Sequence, residues 1–142
     1  MIKTKNNFLF IGGLCSFIIS TIHIAAIIIG PKAYTFLDAE ELANLALSGS
    51  YIPAIATSII AALFFIFGCY GLSGSGIIKK LPFLSPFLKI IATLYTLRGA
   101  FVIIFLFLWM INSPLLKIRE IYFSLTSLGI GLIHLIGIYK KN

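Results

Sequence analysis

The stretch FLKIIATLYTLRGAFVIIFLFLWMI, from Phe87 to Ile111, decides how this chain is read. It exceeds the ~20 residues that an α-helix needs to cross about 30 Å of hydrocarbon, and its only charges are Lys89 near the start and Arg98 near the midpoint. A backbone polar group cannot stay unpaired in lipid, so such a run must be helical, and its length outranks the strand propensity of its β-branched residues. Working outward, similar runs extend from Phe8 to Ile29, Ile52 to Leu72 and Ile121 to Ile138. The expected fold is all-α: an integral membrane four-helix bundle, one membrane domain over residues 1–142, with spans at about 8–29, 52–72, 87–111 and 121–138.

Composition agrees. Sixty per cent of the 142 residues are apolar and 11% are charged, with a mean hydropathy of +1.09. Soluble domains average about 45–50% apolar and about 25% charged, so this chain cannot cover a water-facing surface. A disordered chain, a disulfide scaffold and a catalytic domain outside the bilayer are excluded on the same grounds. The net charge of +7 does not indicate nucleic acid, because the basic residues form no stripe and mostly flank the apolar runs. With a cytoplasmic N-terminus, Lys3, Lys5, Lys79, Lys80, Lys89, Lys140 and Lys141 lie inside, and only Lys32, Lys117 and Arg119 outside. That asymmetry predicts a multi-pass protein with both termini cytoplasmic. The first run is too long for a 7–15-residue signal-peptide core and no small-x-small site follows it, so it is read as a retained helix.

Two connections carry further pattern. Between Gly30 and Tyr51, Asp38 and Glu41 have capping-box spacing and predict a short interfacial helix over about 39–47, with Ala39, Leu42, Ala43 and Ala46 on one face. Between the second and third runs, Ser73-Gly74-Ser75-Gly76 lacks the lysine of a nucleotide-binding loop and reads as a flexible turn. Lys79, Lys80 and Lys89 beside it are candidate contacts for anionic lipid headgroups.

Small residues mark the packing faces: Gly12, Ser16 and Ser20 leading to His23; Ala54, Thr57, Ala61, Gly68 and Gly71; and Ser124, Ser127 and Gly131 leading to His134. Both histidines are thereby expected to face the bundle. At 1.5 Å per residue they differ in depth by roughly 14 Å, which argues against shared haem ligation, and neither has metal-ligand neighbours. No metal or cofactor is expected, and both histidines read first as packing residues. Cys15 and Cys69 read as buried free thiols.

Arg98 is the main candidate site residue. A guanidinium at mid-span costs about 2.5–3.5 kcal/mol on insertion scales and requires a partner. No predicted span contains an acid. The candidates are hydroxyls such as that of Tyr95, the loop acids Glu40 and Glu41 if that loop dips inward, or an anionic ligand; His23 is counted in the same polar cluster.

The segments Gly30-Pro-Lys-Ala-Tyr-Thr-Phe-Leu-Asp38-Ala-Glu-Glu-Leu-Ala43, Tyr51-Ile-Pro-Ala-Ile-Ala-Thr57, Phe67-Gly-Cys-Tyr-Gly-Leu-Ser-Gly-Ser-Gly76, Leu81-Pro-Phe-Leu84 and Tyr95-Thr-Leu-Arg-Gly99 resemble a family of small, uncharacterised bacterial inner-membrane proteins with four helices. The resemblance covers about half of the chain and implies topology and compartment only, since that family has no assigned activity to transfer. Small multidrug transporters, quinone-linked disulfide enzymes and sterol-isomerase-like bundles fit worse, lacking here an intramembrane glutamate, paired cysteines and intramembrane carboxylates respectively.

The leading expectation is a non-enzymatic membrane protein, a homo-oligomer or a complex subunit, whose cluster around Arg98 contacts membrane lipid or a small anion or stabilises the bundle. A small transporter or channel is the alternative. A membrane-embedded, lipid-acting enzyme using a histidine is the third reading.

Overall fold

The computed structural model describes residues 6–114 and 117–140. These form six helices, α1 (Asn7–Ile29), α2 (Pro31–Phe36), α3 (Glu40–Leu47), α4 (Ile52–Ser75), α5 (Leu84–Met110) and α6 (Ile118–Tyr139), and no strand among the described residues. The all-α expectation holds, and α1, α4, α5 and α6 are each long and apolar enough to cross a membrane. Burial has the membrane pattern: Ile28, Ile103 and Met110 are exposed, whereas Ser16, Ser124 and His134 are wholly buried. Helices whose large apolar residues point outward and whose small and polar residues point inward are built for a lipid solvent. The chain is a multi-pass membrane protein.

Two compact units divide the chain. The first comprises residues up to Cys15 and from Phe67 onward, so that it holds the start of α1, the end of α4, and α5 and α6. A Cβ built on Gly71 of α4 would meet the Gly13 Cα of α1 at 2.5 Å, so their backbones approach closely, and Gly12 faces the His134 ring of α6. Between α5 and α6, Gly99 lies against Leu128 and Gly131 against Thr96, fixing an antiparallel register. Tyr70 stacks on Phe87 at 4.8 Å and joins α4 to α5. Asn6 caps α1, accepting the Leu9 N–H through Oδ1 at 3.2 Å, and its Nδ2 donates to the Gly137 carbonyl in the last turn of α6 at 2.6 Å.

The second unit spans Ser16–Ile66. Ser20 Oγ donates to the Ala61 carbonyl at 2.8 Å, and Phe17 meets Phe65 edge to face at 5.2 Å. Ala26, Tyr34 and Ala43 form a small core against which Leu42, Ala39 and Ala46 pack, so the predicted apolar face of α3 is its inward one.

The start of α3 differs from the capping-box expectation. Ala39, not Asp38, is the N-cap, and no side-chain cap bond forms. The reason is α2, which the sequence pattern did not reveal. Asp38, in the left-handed region at φ 58°, ends α2: its N–H donates to the Thr35 carbonyl, and the Ala39 N–H donates to the Tyr34 carbonyl. That is a Schellman ending, and it removes Asp38 from the capping position.

The supposed flexible turn is also corrected. Ser73 to Ser75 belong to the last turn of α4, and Gly76, at φ 81°, terminates it. The buried Ser73 hydroxyl then donates to the Lys79 carbonyl at 3.0 Å and accepts the Leu81 N–H at 2.8 Å, pinning the connection on both sides of Lys80.

Candidate functional site

α6 begins at Ile118, three residues before the apolar run, because Arg119 and Glu120 can occupy a first helical turn without entering the hydrocarbon core. Glu120 suits that position, where a carboxylate complements the N-terminal dipole. It also brings an acid onto a span, against the expectation of none. One turn on, Ser124 shares its face of the helix.

Arg98 engages both. Its Nη2 donates to Glu120 Oε2 at 2.8 Å, and its Nη1 to Ser124 Oγ at 2.7 Å. Given the α5–α6 register, Arg98 and Ser124 are offset by about 7 Å along the helices, so the arginine extends along the groove toward the Met110 and Ile118 ends. Its carboxylate partner is therefore Glu120, not Glu40 or Glu41. Nor is it deeply enclosed: 42% of the Arg98 side chain and 25% of that of Glu120 remain exposed. A long side chain carried its charge away from mid-span, as snorkelling residues do.

The exposed side opens into a cleft of about 380 Å³ lined by Arg98, Phe101, Phe105, Lys117 and Glu120. Two cations and one carboxylate leave this cleft formally at +1 beside two aromatic walls. Lys117, Phe101 and Phe105 were not recognised from sequence; the signal was present as Phe101 and Phe105 one turn apart on the Arg98 side of α5.

The other candidates go elsewhere. Tyr95 is buried, with its ring stacked on His134 at a centroid distance of 5.7 Å and edge-on to Phe67 at 6.1 Å. His134 Nδ1 donates to the Ile130 carbonyl at 3.0 Å, and Nε2 is buried without a hydrogen-bond partner among the described residues. His23, in the second unit, packs on Phe64 at 5.3 Å and uses Nδ1 on the Ile19 carbonyl at 2.8 Å. Glu40 and Glu41 are exposed in the first turn of α3. Lys79, Lys80 and Lys89 are exposed around the start of α5, while Lys3, Lys5 and Lys141 lie outside the described residues. No group of three or more metal-ligating side chains forms among the described residues.

Compared with protein-family models, curated proteins and solved structures, the chain finds no match in any of the three.

Proposed function

We propose that this chain is a non-enzymatic protein of the bacterial inner membrane, with both termini cytoplasmic, acting as a homo-oligomer or a complex subunit, whose α5–α6 cleft receives the anionic head of a lipid. One observation carries the reading. Arg98 is already oriented by Glu120 and Ser124, yet 42% of its side chain faces an open cleft that a second cation, Lys117, also lines. A guanidinium pre-positioned in this way can receive phosphate oxygens with little further ordering, while Phe101 and Phe105 contact the adjoining acyl chains. The resemblance to small inner-membrane proteins and the distribution of lysines support the compartment and orientation.

A transport path is less well supported because Arg98 commits hydrogen bonds to α6. An enzymatic histidine is less well supported because His134 is wholly buried between Gly12 and Tyr95.

Native mass spectrometry of the full chain from mild detergent tests the proposal. Anionic phospholipid should accompany the parent protein and be lost from Arg98→Gln. Glu120→Gln should retain it, since the competing carboxylate is gone. If Arg98 only ties α5 to α6, both variants lose stability alike and neither changes the bound lipid, which overturns the reading.

A further inference from the structure

A second cavity lies at the opposite end of α5 and α6 from the Arg98 cleft. Its volume is about 540 Å³, and it opens where α1 and α5 begin and α6 ends. Its walls include Leu9, Leu81, Leu88 and Ile138, and two lysines line it, Lys80 and Lys140. Among the described residues no carboxylate side chain lines it; the four acidic side chains of the sequence are Asp38, Glu40, Glu41 and Glu120.

The backbone is fixed at both lysines. The Ser73 hydroxyl fixes the backbone of the residues flanking Lys80, at Lys79 and at Leu81. Lys140 follows the last turn of α6, its N–H bonded to the Ile136 carbonyl, and its ammonium stands 4.9 Å above the Phe8 ring. Tyr70 further secures the connection by donating to the Pro82 carbonyl at 3.1 Å. Leu84 and Ser85, the first residues of the 27-residue α5, form another wall, and Phe83 before them supplies no side-chain cap. Two lysines at one cavity favour an anion there, and the field of the helix start has the same sign.

We infer that this cavity binds a phosphate group, with Lys80 and Lys140 as its charge partners and the apolar wall accepting whatever hydrocarbon the phosphate carries. The site is distinct from the Arg98 cleft, shares no lining residue with it, and does not depend on the lipid reading given there. The phosphate comes either from an anionic phospholipid or from solution.

The test uses the full chain in nanodiscs of phosphatidylcholine with or without phosphatidylglycerol, and separately in detergent titrated with inorganic phosphate. Two double variants are compared with the parent: Lys80→Gln with Lys140→Gln, and Lys79→Gln with Lys89→Gln, which removes the same charge from residues that do not line the cavity. All four side chains are exposed, so both variants should retain the parent's helical circular dichroism. With each near-surface cation contributing about 1 kcal/mol, the first pair should weaken phosphatidylglycerol retention by about 30-fold, and the second far less. Saturable protection by inorganic phosphate alone, lost in the first pair only, assigns the site to a soluble phosphate; retention of phosphatidylglycerol without such protection assigns it to a lipid headgroup. Equal losses in the two pairs, or no phosphate-dependent signal in either medium, overturn the inference.

Discussion

Gly71 shows what one absent side chain does here. Its α-carbon lies so close to Gly13 that an added Cβ would come within 2.5 Å of the neighbouring backbone, which has no flexible end to give way. Gly71→Ala should therefore cost about 1–3 kcal/mol by overpacking. Gly129 on α6, whose Cβ would meet nothing within 4 Å, is the matched control, and Gly129→Ala should leave stability unchanged or raise it by up to about 1 kcal/mol. Reversible unfolding in mixed micelles measures both. Arg98 gives the corresponding lesson for charge. In water, an ion pair as exposed as Arg98–Glu120 contributes at most about 1 kcal/mol. Beside lipid, the comparison is with an arginine left unpaired, so the carboxylate matters chiefly in preventing that cost. Arg98 was visible in the sequence as an anomaly. Its partner was not, because Glu120 precedes the apolar run by one residue and only the helix start at Ile118 brings it onto the same element as Ser124.

At the scale of the element, apolar length places the spanning helices and their ends depend on capping. α5 ends in the same manner as α2: Asn112 takes φ 48° and donates to the Trp109 carbonyl, while Ser113 donates to Leu108. Gly49 after α3 and Gly76 after α4 repeat the pattern. Such endings are readable wherever Gly or Asn occupies the left-handed position. They are hard to read at Asp38, whose side chain offers an equally good N-cap signature, and this is why α2 escaped notice. The connection after α4 illustrates the converse. Its Ser and Gly content suggested mobility, yet one buried hydroxyl bonds across it to Lys79 and Leu81. Ser73→Ala should free that segment, so limited trypsin digestion in detergent should cleave after Lys79 and Lys80 faster than in the parent, with cleavage after Lys32 unchanged.

At the scale of the whole molecule, the prediction concerns orientation. With the lysine-rich ends inside, a reporter active only beyond the membrane should be silent when fused after Lys80 and active when fused after Gly49; the reverse pattern would invert the proposed topology. What the sequence by itself determined was the solvent and the class of fold. Unbroken apolar length leaves a chain only helices in lipid, and the small-residue stripes mark faces that pack, since Ser16, Thr57, Gly71, Ser124 and Gly131 are all buried. The tertiary structure decided which polar groups meet. The register that sets Gly99 against Leu128 allows Arg98 to reach Ser124 and Glu120, and the convergence of three helix ends brings Lys80 and Lys140, distant in sequence, to one cavity. Hydrophobicity acts on each segment alone and so is legible along the chain. A hydrogen bond or a shared cavity depends on the relative position of two segments, and that is fixed only when the helices pack.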